Sequence, residues 1–521
     1  MKKLYVASIL LLFIIMVFVS GCKTPKTKST FQAPAYWPTS RWQGSTPEAQ
    51  GMDSEKIAEM IEYIQTNSIP VHSMHIVRNG YLVTEAYFYP YDGSTVHDIA
   101  SVTKSVTSVL VGAAINKGLI KDEYVLVKDF FPEYDDLFSN TFKEQLMIRD
   151  LLTMTSGLEL VTNDSTRSAF AEATLFGMFT EDDWLEYILT LPAVYEPGTY
   201  FGYNSCNFHL ISIMMSQATG MKMVDFAREN LFKPLGINDF VWSEDPEGNS
   251  HGWGDLKLHP RDMAKIGFLL LNNGTWDGKQ ILNPDWVAKS AQRQVDVPGP
   301  PGDIHIDYSY GWWVVSGKLD GIYEANGRGG QHIIIWPQQN LIIVFTGGGF
   351  DQGSIAEQLI ATISEQNALP EDQEAFQHLQ DIIGQVKTEP AWLAMIQFPL
   401  IAQVISGKTL TLEQNPLELE NINITFLDPQ YANLRMKRAG TEQILRIRMG
   451  GIYAMSESGA YGLPVGARGM WMNDTTLSIE INEIANINDY EVTAVFTQNK
   501  ATLSVSEATL FTKPVVIKGA F

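Results

Sequence analysis

Ser101-Val102-Thr103-Lys104 sets a hydroxyl and an amine one helical turn apart, so both side chains fall on one face of a helix. Upstream, Asp98-Ile99-Ala100 leads into the serine. Downstream, Val102, Val106, Val109, Leu110 and Ala113 recur at helical spacing until Gly118 supplies a stop. The spacing predicts a helix with Ser101 in its first turn, where unpaired backbone N–H groups and the helix dipole favour developing negative charge. The other polar residues of this helix are mostly Ser and Thr, so it is expected to be buried. Burial would disfavour a charged Lys104 and leave its amine usable as a base. A serine is a weak nucleophile until a base takes its proton, and this pairing points to acyl-enzyme chemistry.

A Ser-x-x-Lys match alone also arises by chance in a chain of this length, so the stretches that accompany it matter. Glu196-Pro197-Gly198-Thr199-Tyr200-Phe201-Gly202-Tyr203-Asn204-Ser205 is a loop of turn formers that presents a tyrosine beside small polar residues. Gly327-Arg328-Gly329-Gly330-Gln331 runs straight into the strand-like His332-Ile333-Ile334-Ile335-Trp336, and glycines at such a place let backbone approach a ligand closely.

Nucleophile helix, tyrosine loop and glycine-bordered strand, in that order, resemble the three motifs of the serine beta-lactamase and penicillin-binding protein superfamily, in its class C-like branch. The resemblance covers about residues 40–365 and includes Leu151-Leu152-Thr153-Met154-Thr155-Ser156-Gly157-Leu158, Leu258-His259-Pro260-Arg261-Asp262 and Leu271-Asn272-Asn273-Gly274. It implies Ser101 as the acylated serine, Lys104 as its general base and Tyr203 as the proton shuttle to the leaving group. Arg328-Gly329-Gly330 stands where the family often has Lys-Thr-Gly or His-Thr-Gly. The implied oxyanion hole is the backbone N–H of Ser101 and of Gln331. Neither metal nor organic cofactor is implied. In two places the chain departs from the lactamase pattern. Tyr-x-Asn becomes Tyr203-Asn204-Ser205, with asparagines at 204 and 207 on either side of Ser205, and Arg328 replaces a lysine with a differently shaped donor. Such variants resemble the esterase, aminohexanoate-oligomer hydrolase and D-peptide hydrolase members. A small ester, amide or peptide is the expected substrate, with beta-lactam turnover a side activity at best. The alternative is a sensor or binding protein that is acylated and does not deacylate.

The expected fold class is α+β. Asp53 can cap a helix with the apolar stripe Ile57, Met60, Ile61 and Ile64, and Asn79-Gly80 reads as the turn of a hairpin between Met74–Val77 and Tyr81–Tyr87. Tyr310–Val315, Ile333–Trp336 and Leu341–Thr346 add three strands. The expectation is a beta-lactamase-like five-stranded antiparallel sheet, helices on its faces and a helical insert. From about residue 410 short strands alternate with turns, so residues 390–521 read as a small antiparallel barrel or sandwich. Ala467-Arg468-Gly469-Met470-Trp471 makes this tail resemble the lipocalin-like appendage of some lactamase-fold hydrolases, for which bare scaffolding and a substrate-shaping lid are both consistent roles. The expected boundaries are a signal at 1–22, a spacer at 23–40, the hydrolase domain at 41–368, a linker helix at 369–389 and the β-rich domain at 390–521.

Lys2 and Lys3 precede an apolar run from Leu4 to Val19 that closes on Ser20-Gly21-Cys22, the form of a secretory signal. Val19-Ser20-Gly21-Cys22 is similar to the bacterial lipobox, which implies lipidation of Cys22 and a lipoprotein tethered to a membrane in the cell envelope. With Cys22 lipidated, Cys206 has no disulfide partner, and it reads as a small buried core residue. The nine histidines show no zinc-ligand spacing. A net charge of −22 without a basic cluster beyond the signal excludes nucleic acid as an expected partner.

Overall fold

A computed structural model describes residues 34–159, 173–298, 304–317, 319–363, 368–389, 398–457, 459–509 and 513–521. Cys22 and the apolar run before it lie outside them.

The sheet of the larger domain has seven antiparallel strands. They are β1 (Val71–Arg78), β2 (Tyr81–Tyr87), β3 (Ile304–Tyr308), β4 (Trp313–Gly317), β5 (Tyr323–Gly327), β6 (Gln331–Trp336) and β7 (Leu341–Gly347), in the order β2-β1-β7-β6-β5-β4-β3. The hairpin turn falls at Asn79-Gly80, both at positive φ, as expected. Two strands beyond the expected five, β3 and β5, extend the sheet, and the expected Tyr310–Val315 strand begins only at Trp313. β5 is hard to read because Glu324 sits at a buried position in it. Side chains compensate for this: Glu324 Oε1 accepts from Asn326 at 3.2 Å and from Gln352 at 2.9 Å, and Oε2 lies 3.5 Å from His332.

Helix α1 (Ser54–Thr66) is capped by Asp53, whose side chain accepts from the Lys56 N–H at 3.1 Å. Its buried face packs on one side of the sheet together with Leu379, Ile382 and Val386 of α5 (Gln373–Lys387), so the helix read as a linker completes the core of this layer. On the other side lie α2 (Val102–Asn116), α3 (Ser205–Thr219) and α4 (Pro260–Leu271), around a large apolar core. Residues 102–114 of α2 are all buried. Two of its hydroxyls are satisfied by neighbouring loops: Ser105 donates to Gly311 O at 2.5 Å and Thr107 to Gly252 O at 2.8 Å.

The C-terminal domain is a closed barrel of nine strands: β8 (Thr409–Leu412), β9 (Leu419–Asp428), β10 (Tyr431–Arg438), β11 (Thr441–Met449), β12 (Val465–Trp471), β13 (Thr476–Glu483), β14 (Asp489–Phe496), β15 (Lys500–Glu507) and β16 (Val515–Ala520). A parallel pairing of Arg448 with Arg468 and of Met449 with Gly469 joins β11 to β12 and closes it, which removes the open edges. Alternate residues such as Ile422, Leu445, Ile479 and Leu503 fill the interior. This agrees with the lipocalin-like reading of the tail. The turn between β13 and β14 reaches the larger domain, where Ala485 O accepts the backbone N–H of Asp98 at 2.8 Å.

Candidate active site

Ser101 sits at the N-cap of α2, half-buried, with helical backbone angles, and Lys104 follows in the first turn at 1% exposure. Lys104 Nζ lies 2.9 Å from Ser101 Oγ and donates to Trp253 O at 3.0 Å. Among the described residues it makes no ion pair within 4.0 Å.

The turn that delivers the serine is tightly held. His97-Asp98 pairs with Leu256–Leu258 as a short ladder. The Asp98 carboxylate accepts the Ala100 N–H at 2.7 Å and faces Lys257 at 3.3 Å. Burial pushes the Asp98 carboxyl above the usual carboxylate range, and Lys257 beside it opposes the rise. Ala100 has φ of 45°, a left-handed conformation that a Cβ makes unfavourable.

Tyr203, 8% exposed, ends the tyrosine loop just before α3. Its ring centroid is 4.9 Å from Lys104 Nζ, and it stacks on Trp313 at 6.0 Å and meets Tyr308 edge-on at 6.3 Å. Asn204 caps α3 by accepting the Cys206 N–H at 3.0 Å. Ser205 is the first residue of that helix, 1% exposed. Cys206 is fully buried, 3.9 Å from the Met178 sulfur, as a core residue should be.

The glycine-rich segment is the hairpin joining β5 to β6. A Cβ on Gly327 would come within 2.6 Å of Ile99 O and 3.1 Å of the Ala100 side chain, so the hairpin presses directly on the turn that carries Ser101. Gln331 is fully buried, and its amide spans to the next strand, donating to Gly347 O at 2.6 Å and accepting the Gly347 N–H at 3.3 Å. Gly329 and Gly330 both have positive φ; a Cβ on the first would strike Ile487 of the barrel, and on the second Phe350. Arg328 donates to Thr509, also on the barrel.

Ser101, Lys104 and Tyr203 therefore converge, with the hairpin of Arg328, Gly329 and Gly330 against the same turn. Sequence reasoning missed Asp98, Trp253 and Trp313. Trp253 is flanked by Gly252 and Gly254, and a Cβ on Gly252 would fall 2.0 Å from Phe208 O. An aromatic residue between two glycines was the available signal for a chain passing close to the site. Among the described residues, no group of three His, Cys, Asp or Glu side chains is arranged to hold a metal ion.

A Ser-x-x-Lys helix start packed beside an antiparallel sheet, with a tyrosine above the amine, defines the serine hydrolases of beta-lactamase fold. A family model described as Beta-lactamase matches residues 55–359, and the chain belongs to that family. A curated protein of Salmonella agona (strain SL483), described as "Putative D-alanyl-D-alanine carboxypeptidase", is 23% identical over 220 residues, 38% of this chain and 50% of that protein. The chain thus spans about half the length of the curated relatives it matches. Among solved structures, the "Putative 6-aminohexanoate-dimer hydrolase from Bacillus anthracis" is 21% identical, covers 64% of this chain and 90% of that one, and superposes with a TM-score of 0.53. A "putative beta-lactamase from Bacteroides dorei DSM 17855" is 20% identical, covers 60% of this chain and 100% of that one, and has a TM-score of 0.48.

Proposed function

We propose that this chain is an exported, membrane-tethered serine hydrolase that cleaves ester, amide or peptide bonds through an acyl-enzyme formed on Ser101. The observation that carries the reading is the 2.9 Å separation of Ser101 Oγ and Lys104 Nζ beneath the Tyr203 ring. Lys104 takes the serine proton as Oγ attacks the carbonyl carbon. The oxyanion is received by the backbone N–H of Ser101, at the start of α2, and by a backbone N–H of the hairpin that ends in Gln331. Tyr203 passes a proton to the leaving group, which departs as an alcohol or amine. Water then attacks the acyl carbon and returns Ser101 to its free form. Tyr308 and Trp313 pack around the Tyr203 ring, an aromatic setting that suits an apolar acyl group. Lipid on Cys22 would hold the domain at the cell envelope through the spacer that follows.

A panel of short p-nitrophenyl acyl esters, D-amino-acid amides, linear amide oligomers and a chromogenic cephalosporin tests this. Sustained turnover of an ester or amide, lost in Ser101→Ala, is the expected result. Turnover that survives Ser101→Ala would refute the reading. Palmitate labelling of the full chain in a bacterial host should vanish in Cys22→Ala.

The use of Asn204 as a helix cap favours a second reading. Its side-chain oxygen is spent on Cys206 rather than on a substrate amide. A protein so built could accept an acyl group from cell-wall peptides or beta-lactams and keep it. One stoichiometric burst without a steady state would support that reading.

A further inference from the structure

A chain of buried hydrogen bonds runs from the barrel to the residue three positions before Ser101. Asn482 of β13 lies 2.9 Å from the Tyr91 hydroxyl through its amide nitrogen, that hydroxyl is 2.9 Å from His72 Nε2, His72 Nδ1 is 2.9 Å from His97 Nε2, and His97 Nδ1 is 2.8 Å from Asp98 O. All four side chains belong to residues at most 7% exposed.

The proton positions follow from the far end. A carbonyl only accepts, so His97 Nδ1 carries a hydrogen and donates to Asp98 O. Neutral His97 then accepts at Nε2, so His72 donates from Nδ1 and accepts at Nε2. Tyr91 donates to it, and Asn482 Nδ2 donates to the tyrosine oxygen. With both imidazoles neutral this orientation satisfies every member, and the Tyr91 hydroxyl also lies 3.1 Å from Asn482 Oδ1. Burial holds both well below the ordinary histidine value, His72 at about 3.

The barrel also grips Asp98 from its other end, because Ala485 O accepts its N–H at 2.8 Å. Both backbone polar groups of Asp98 are thus fixed, one directly and one through the relay, while its carboxylate holds the strained Ala100. Strain of this kind persists only where the surroundings over-determine it.

We propose that Tyr91, His72, His97 and the barrel residue Asn482 are positioning residues for the Ser101 nucleophile, so that the docked barrel is part of the catalytic machinery. This rests on Ser101 being the nucleophile. None of the four touches the reacting atoms; they act through the backbone of Asp98. Breaking the relay leaves the Asp98–Ala100 turn free to relax and displaces Oγ from its attack line.

The full-length chain tests this with Tyr91→Phe, Asn482→Ala and the double variant, by burst kinetics with p-nitrophenyl acetate. Tyr91→Phe keeps the ring stacked on His72 at 3.8 Å between centroids and removes only the hydroxyl. The acylation rate constant is expected to fall about 10- to 100-fold in each single variant, the fall that a misplacement of about 1 Å causes. The half-saturating ester concentration should stay within about twofold, and the double variant should be no slower than the slower single variant, because both cuts sever one chain. Unchanged acylation in either single variant, with Ser101→Ala inactive, overturns the relay alone. So does a double variant as slow as the product of the two singles. Activity in Ser101→Ala overturns the underlying functional reading instead. Should Tyr91→Phe unfold, Asn482→Ala on the barrel side decides by the same criteria.

Discussion

Ser101→Ala should abolish turnover and covalent labelling together. Ser101 and Lys104 were legible because a spacing of three on a helix is a local property, independent of the rest of the chain, and Tyr203 through its loop. Tyr203→Phe should slow acylation by roughly two to four orders of magnitude with a poor leaving group, and less with p-nitrophenolate, which needs no proton. Wild-type rates with the poor leaving group would remove Tyr203 from that role. Beyond its flanking glycines Trp253 offered no signal, because it meets Lys104 through its backbone carbonyl, which every residue type possesses. Arg328 was singled out for its charge, but its partner Thr509 lies on the barrel, 181 residues away in sequence. No local pattern carries that contact.

At the scale of elements, the hairpin at Asn79-Gly80 and the stripe of α1 were legible because turn chemistry and helical period are local signals. β5 was not, since Glu324 and Asn326 break the apolar alternation, and Glu324 is buried only by virtue of side-chain partners such as Asn326 beside it and Gln352 from another segment. α2 depends on a similar non-local fit. A Cβ on Gly112 would fall 2.5 Å from the Trp286 indole, so this glycine lets the short helix Pro284–Ser290 lie flush on α2. Gly112→Leu should therefore overpack the core and lower stability by about 1–3 kcal/mol, read as a lower urea midpoint with an unchanged slope. An unchanged midpoint would mean that the indole moves aside freely. Ala100→Gly tests the strained turn: glycine adopts its φ without the steric penalty, so stability should stay within about 1 kcal/mol of the parent, whereas Ala100→Val should lower it by more.

For the whole molecule, the barrel is legible from alternating strands and turns, but its docking is not, because docking is written in single residues such as Asn482, Ala485 and Ile487. The interface makes stability depend on pH. His72 and His97 are neutral when folded and take up protons near 6.5 once unfolded, so stability is present above that pH and falls as pH drops toward about 3. Asp489, 3.7 Å from His72, acts in the opposite sense: burial raises it to about 7 from 3.8, so its contribution falls as pH rises through that window. Two protons against one leave a net loss on acidification. Asp489→Asn removes the opposing group, and should steepen the fall of the urea midpoint between pH 6.5 and 4 while leaving the slope below pH 4 unchanged. An identical profile in the variant would mean that Asp489 is not held protonated at the interface. The central claim, an acyl-enzyme on Ser101 made by Lys104, is tested most directly by acid-quenched mass spectrometry of the chain after brief exposure to p-nitrophenyl acetate. One acetyl group on the peptide containing Ser101, absent from Lys104→Met, is the predicted result. An acetyl group on any other residue, or full labelling of Ser101 without the lysine, would contradict it.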